Sequence, residues 1–180
     1  MRNSWNQTLV TMQADGTALS NTTTPTSIIR PEARIYLGAG IMDVPGLKFR
    51  VKASGRISTA ASTPGTLTLD LRLGSTVVFN GGASGTLATS ATNLTWDLEI
   101  DLTLRSVGNS TTATLIGVGK LLSAALSATT PIMLLPASSP AVGTGFDSTT
   151  SQQLDFFATW SVASASNSIT CHQYEVMIPN

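Results

Sequence analysis

The sequence predicts an all-β fold: an antiparallel two-sheet sandwich, jelly-roll-like, with little or no helix. Three observations predict it: apolar and polar residues alternate along several segments, turn residues separate those segments at intervals of roughly ten residues, and the composition favours strands. Ser and Thr make up roughly a quarter of the 180 residues, and β-branched Thr suits a pleated, half-buried surface. A closed barrel is the main alternative for the same pattern.

Period-two alternation is clearest in three segments, residues 47–53, 66–73 and 94–104. In each segment the apolar residues fall on one face and the polar or charged residues on the other, which is typical of a strand with one buried face. A helix would scatter the same residues around its circumference. Further strands are predicted at residues 5–12, 34–37, 76–79, 112–122, 154–162 and 169–178.

The sequence indicates one domain, with no internal repeat. Residues 1–30 are predicted to be an N-terminal arm with one short strand, because residues 20–26 are rich in Ser, Thr and Asn. Residues 31–180 are then a single β-sandwich domain. Within it, residues 127–151 are rich in Pro, Gly, Ala, Ser and Thr and are predicted to form an extended loop, and residues 81–85 a hairpin tip.

The charge content excludes some classes of partner. Charged residues make up 11% of the chain, against a usual share of about 25%, and the formal net charge is zero. Direct nucleic-acid binding is not expected, since it normally needs a clear positive excess. No run of about 18 apolar residues predicts a membrane span, and no apolar stretch follows Met1 as in a signal peptide. A neutral, hydroxyl-rich surface suits wide protein contacts instead.

Catalytic and metal-binding chemistry is not expected from these residues. The chain has one His and one Cys, His172 and Cys171, which are adjacent and so point to opposite faces of a strand. They therefore cannot form a nucleophile–base pair with each other, and Cys171 is predicted to be a small buried residue. We expect no catalytic residues, no metal site and no cofactor, and hence a protein that is not an enzyme.

The charged faces of two predicted strands have complementary spacing. Three interpretations are open: cross-strand ion pairs between neighbouring strands, a calcium or magnesium site on the acidic strand, or a charged contact between subunits. The basic residues are Lys48, Arg50, Lys52 and Arg56, and the acidic residues are Asp97, Glu99 and Asp101.

The aromatic residues are few, at 6% of the chain. Trp96 and Trp160 fall on apolar faces of predicted strands and are expected in the core, whereas Trp5 lies near the N-terminus. Phe157 and Tyr174 are the candidates for exposed rings that a glycan-binding groove would need.

Several segments together resemble β-rich virion structural proteins of tailed bacteriophages, and the resemblance spans nearly the whole chain. The segments are WNQTLV at 5–10, ASGRIS at 53–58, PGTLTLDLR at 64–72, LLPA at 134–137, GTGFDS at 143–148, DFFATWSV at 155–162 and HQY at 172–174.

This resemblance implies a capsid decoration (cement) protein that binds the outer head shell and stabilises it. Its partners would be further copies of itself, as a homotrimer, and the major capsid protein. It would be made in the host bacterial cytoplasm and end on the exterior of the virion. The alternative is a tail-fibre or receptor-binding module that recognises host-surface glycans.

Overall fold

The computed structural model of the protein describes residues 6–126 and 130–179. Within these residues the chain forms strands and one short 3-10 turn at Pro31–Ala33, with no α-helix, so the all-β prediction is confirmed. The strands are β1 (Gln7–Thr11), β2 (Leu19–Ser20), β3 (Thr26–Ser27), β4 (Tyr36–Leu37), β5 (Lys48–Ser58), β6 (Leu67–Leu73), β7 (Thr76–Ala83), β8 (Leu94–Ser106), β9 (Thr114–Ser123), β10 (Ile132–Leu135), β11 (Gln152–Trp160) and β12 (Ser168–Ile178).

The strands form two antiparallel sheets. The larger sheet has the order β1-β12-β5-β8-β9-β10, with β2 also beside β12. The smaller sheet has the order β3-β11-β6-β7, with β4 also beside β11. Two antiparallel sheets are consistent with the predicted sandwich, and the jelly-roll connectivity stays a prediction.

The core is built from the apolar faces that the alternation predicted. Trp96 and Trp160 are buried, which confirms the prediction for both. The Phe156 ring lies 6.4 Å from Trp96 and 6.1 Å from Tyr174, centroid to centroid, in a range typical of favourable aromatic pairs. The indole N–H of Trp96 lies 3.2 Å from the carbonyl oxygens of Arg56 and Thr170, so its polar atom is satisfied inside the core.

A β-bulge explains why the last strand alternates poorly in the sequence. The register of β12 against β5 shifts between Cys171 and Gln173, so His172 is an extra residue without a partner on β5. Cys171 is buried before the bulge, and Tyr174 and Val176 are buried after it. The buried apolar side chains therefore lie at odd positions before the inserted residue and at even positions after it. In the sequence, both faces of the strand then contain apolar and polar residues.

Residues 6–30 belong to the sandwich in the structure and do not extend from it as an arm. β1 and β2 pair with β12, and β3 pairs with β11. Met12, Leu19 and Ile28 are buried in the core. Strands of two residues are too short to show alternation, which is why the sequence predicts an arm here. Trp5, the start of the first predicted strand, lies outside the described residues.

Each sheet ends in an edge strand that an excursion interrupts. In the smaller sheet, β3 and β4 both pair with β11, and residues 29–34 leave the edge between them. In the larger sheet, β10 pairs with the second half of β9 and residues 142–146 bridge to its first half, with residues 136–141 between them. Part of the predicted loop at 127–151 is therefore a strand, and residues 127–129 lie outside the described part.

The predicted hairpin tip at residues 81–85 is wrong for Gly81 and Gly82, which lie inside β7. β6 and β7 are joined at residues 74–75 instead. A bulge sits at the glycines, because Thr68 pairs with Ala83 while Asp70 pairs with Asn80. A Cβ atom on Gly81 would lie 2.7 Å from the carbonyl oxygen of Leu69, so glycine allows the close approach of the two strands.

Candidate interaction surface

The outward face of the larger sheet carries the charged residues that the sequence singled out. β5 and β8 are neighbours, as the cross-strand interpretation requires, and their register places Arg50 opposite Asp101 and Lys52 opposite Glu99. We call this set the charged ladder. Its members are Lys48, Arg50, Lys52 and Arg56 on β5, and Asp97, Glu99 and Asp101 on β8.

One strong ion pair lies at the centre of the charged ladder. The Arg50 guanidinium donates from Nε and Nη2 to the two Asp101 carboxylate oxygens at 2.7 and 3.0 Å, and Nε also lies 3.5 Å from Glu99 Oε1. The hydrogen bond from Arg50 lowers the pKa of Asp101, and the same bond raises the pKa of Arg50. Because the two side chains are 34% and 40% exposed, solvent screens the pair and its contribution is about 0–1 kcal/mol.

The other cations of the ladder are available to a partner. Lys48, Lys52 and Arg56 are exposed, and among the described residues no carboxylate oxygen lies within 4.0 Å of their charged nitrogens. Asp97 is also exposed and likewise has no cation within that distance in the described part of the chain. The face can therefore form charged contacts that the isolated chain leaves unmade.

The geometry of the acidic strand does not allow all three of its carboxylates to bind one cation. Asp97 and Asp101 are four residues apart on one extended strand, roughly 13 Å along its axis. One calcium ion contacts its oxygen ligands at about 2.3–2.6 Å, so both carboxylates cannot bind the same ion. Across residues 6–126 and 130–179, no three His, Cys, Asp or Glu side chains are grouped in a way that could hold a metal.

Beside the charged ladder, the larger sheet has an apolar border that the sequence did not predict. We call it the aliphatic margin; it consists of Val118, Ile132, Leu134 and Val142, which are 50%, 56%, 73% and 50% exposed. Next to Leu134 lies a groove of about 590 Å³, and among the described residues that line it no side chain is charged. The four-residue strand β10 was missed because it lies in a Pro- and Ser-rich segment, although its IMLL run was a signal.

The outer face of the smaller sheet carries a second ionic cluster, which is largely buried. Asp155 lies 3.3 Å from Arg34 Nε and accepts a hydrogen bond of 2.5 Å from Ser27, so both ends of the interrupted edge contact it. Burial raises the pKa of Asp155 despite these partners. On the next strand, Arg72 donates to both carboxylate oxygens of Asp70 at 2.6 and 3.3 Å.

The aromatic candidates for a glycan groove are not open rings. Tyr174 was predicted on an exposed face, which is wrong: the side chain is 1% exposed and stacks on Phe156. The bulge in β12 turns it into the core, where burial raises its pKa. Phe157 is half-buried, and the Arg72 guanidinium lies 4.0 Å from its ring centroid.

Cys171 and His172 lie at the β-bulge of β12 and differ in burial, and the predicted burial of Cys171 is confirmed. Cys171 is buried, and burial raises the pKa of its thiol to about 12. His172 is half-exposed and its Nδ1 lies 2.8 Å from the Asp15 carboxylate. The thiol is therefore protonated at neutral pH, and its hydrogen bond goes to the carbonyl oxygen of Gln173 at 3.2 Å.

No model of a known protein family matches the chain, and a search of curated proteins finds no significant match. Among the described residues, no helix has the length and apolar character needed to cross a membrane.

Proposed function

We propose that this chain is a virion structural protein, a capsid decoration (cement) protein that binds the outer head shell of a tailed bacteriophage and stabilises it. The observation that carries the proposal is the open outward face of the larger sheet, where Lys48, Lys52 and Arg56 are exposed and have no ion-pair partner in the described part of the chain. Such a face suits a broad protein surface that offers carboxylates. The resemblance to phage virion proteins supplies the identity of that surface, the major capsid protein.

Binding of this chain would stabilise the assembled head shell by mass action. A protein that binds only the assembled shell lowers the free energy of that state and not of its separated subunits. Many modest contacts over the sheet face are sufficient, because each bound chain adds its own binding free energy to the particle. In this role the proposed place of the protein is the capsid exterior.

The glycan-binding alternative receives less support from the site. It rested on Phe157 and Tyr174, and one ring is buried while the other lies under a guanidinium. The homotrimer rests on the resemblance alone, and the mass of the purified chain in solution tests it.

The proposed function is tested with expanded heads of the encoding phage from which decoration proteins have been stripped. Purified chain should co-sediment with these heads and raise the temperature at which they release DNA. We expect Arg56→Glu to weaken binding about tenfold, since one lost charge-assisted contact is worth about 1.5 kcal/mol. Arg56 faces Thr95 and Thr170 on its neighbouring strands, so the substitution creates no like-charge pair across the ladder.

The control is Arg30→Glu, which makes the same charge change in the smaller sheet's excursion and also replaces the exposed Arg30–Glu32 ion pair. It should bind like the wild type. Equal loss in both variants would show that only net charge matters, and absence of binding by the wild-type chain would overturn the proposed function.

A further inference from the structure

The aliphatic margin is a group of exposed apolar side chains at one edge of the larger sheet. Four of the large apolar side chains that are exposed in the described part of the chain are gathered at this one edge. Single exposed apolar residues are ordinary, but a contiguous group indicates a contact surface. Its position at the end of a sheet adds a second property, which is a free strand edge.

The backbone of β10 has its hydrogen-bonding groups exposed on one side. The amide N–H of Ser123 donates to the carbonyl oxygen of Pro131 at 2.8 Å, so Pro131, Met133 and Leu135 direct their backbone groups to β9. Ile132 and Leu134 therefore direct their N–H and C=O groups away from the sheet. Among the described residues, no backbone or side-chain partner meets these four groups.

We propose that β10 pairs antiparallel with β10 of a second copy of this chain, about a two-fold axis that passes beside Met133. In this register Ile132 of one copy lies opposite Leu134 of the other, and the four free groups on each side form four hydrogen bonds. The same two residues place their side chains in aliphatic cross-strand pairs on the outward face. β10 can pair with its own copy because the backbone groups of Ile132 and Leu134, two positions apart, both point away from β9.

The charge distribution around β10 favours pairing with a second copy of the chain. β10 contains no charged residue, and the nearest outward cation is Lys120, opposite Leu134 on β9. With strands about 4.8 Å apart, the two Lys120 side chains would lie roughly 16 Å from each other. That is about twice the screening length at physiological salt, so repulsion across the axis is weak.

The contact closes on itself and does not propagate. Both copies use the same edge, so pairing leaves no free β10 to add a third chain. Pro131 and Pro136 bracket the strand, which limits the pairing to four residues. Such a short contact buries less than the roughly 1,200 Å² of a standard stable interface, so we expect a dissociation constant on the order of 100 μM for isolated chains.

Sedimentation equilibrium of the full chain, from low micromolar to near-millimolar concentration, measures the association. The wild type should form a species with an even number of chains: two, or six if trimers form through other surfaces. Leu134→Lys should weaken the association about tenfold or more and so lower the weight-average mass at every concentration, because two ammonium groups would enter the contact. Leu134 is 73% exposed, so the variant should fold like the wild type.

Val44→Lys is the matched control, since Val44 is a 60% exposed apolar residue in the loop before β5. It should associate like the wild type. A second variant, Met133→Cys, tests the register: the two Cα atoms beside the axis would lie about 4.5 Å apart, within the range of a disulfide. Mild oxidation should then cross-link the chains in pairs, and the buried Cys171 does not compete.

Three results would overturn the pairing. One is a wild type that stays monomeric or purely trimeric at every concentration. Another is an association that Leu134→Lys and Val44→Lys change equally. The last is an association that persists while Met133→Cys fails to cross-link. Head binding by Leu134→Lys, measured separately, distinguishes this contact from the proposed shell contact on the charged ladder.

Discussion

Two of the interrupted edges, the β3–β4 edge of the smaller sheet and the β10 edge of the larger sheet, differ in the charge of the segment that interrupts them. The edge of the smaller sheet is interrupted at residues 29–34, which contain Arg30, Glu32 and Arg34, and Arg34 folds back onto the buried Asp155. The edge of the larger sheet is interrupted at residues 136–141, which contain only Pro, Ala and Ser. Charges at an edge discourage pairing with another chain, and their absence permits it. The charged segment therefore disfavours strand pairing at the smaller sheet's edge, whereas the uncharged segment allows it at the β10 edge.

The ionic pairs on the two sheets also differ in burial. Asp70 and Asp155 on the smaller sheet are 5% and 6% exposed, whereas the Asp101 side chain on the larger sheet is 40% exposed. Removing one partner of a buried pair leaves the other charge without solvation, but an exposed partner is rehydrated. Similar Arg–Asp geometry should thus contribute very differently to stability on the two sheets.

The largest effect is expected for Arg72→Ala on the smaller sheet. The variant loses two hydrogen bonds to Asp70 and the contact with the Phe157 ring, and leaves a buried carboxylate unpaired. We expect a loss of about 3 kcal/mol in the free energy of unfolding, measured by urea denaturation. Arg72→Lys keeps the charge but not the bidentate geometry, so it should recover only part of this loss. Equal stability of the alanine variant and the wild type would contradict the buried-pair argument.

A smaller effect is expected for Asp155→Ala, of about 2 kcal/mol by the same measurement. The variant removes the acceptor for the Ser27 hydroxyl and the Phe156 amide, whereas the buried Arg34 Nε lies 3.3 Å from the carboxylate but has no hydrogen-bond partner among the described residues. Asp155→Asn keeps an acceptor and should lose less. Because folding raises the pKa of Asp155, the wild type should gain stability relative to the Asn variant as pH falls from that raised pKa to the ordinary value. An opposite trend would show that the ion pair with Arg34 outweighs the burial.

The smallest effect is expected for Asp101→Asn on the open face, at most about 1 kcal/mol near neutral pH. Here the Arg50 hydrogen bond lowers the pKa of Asp101 in the folded state. The stabilisation is therefore fully present above the ordinary carboxyl pKa and is lost as pH falls through the lowered value. Urea denaturation at a series of pH values should show the two variants at 155 and 101 diverging from the wild type with opposite slopes. If Asp101→Asn lowers the free energy of unfolding as much as Arg72→Ala does, the proposed difference in stability between the two sheets' ion pairs is wrong.

The sequence revealed the long strands well and the short ones poorly, for one physical reason. β5, β6, β8 and β11 each bury one face over seven or more residues, so their alternation is visible. β2, β3 and β10 have two to four residues, and their pairing is fixed by neighbours distant in the chain, whereas the equally short β4 lies within the strand predicted at residues 34–37. Tyr174 was misplaced because the bulge at His172 depends on the register with β5, which is a tertiary property.

One part of the candidate surface could be predicted from the sequence and another part could not. The complementary spacing of Arg50 and Asp101 was visible in the sequence, since period two places such residues on one face each. The spacing is compatible with neighbouring strands in register, but only the order of strands in the sheet establishes that arrangement. The aliphatic margin was not predicted, because Val118, Ile132 and Val142 come from three separate segments that meet only at the end of the larger sheet.

The sequence by itself determined the all-β class, the inward faces of the long strands and the burial of Trp96, Trp160 and Cys171. These properties follow from local geometry, since side chains alternate along any extended strand. Only the tertiary structure decided which charges are buried, which edge is charged and which edge is free. Those depend on the order of strands in the sheets and on where the excursions fold, and both are set by contacts between residues far apart in the chain.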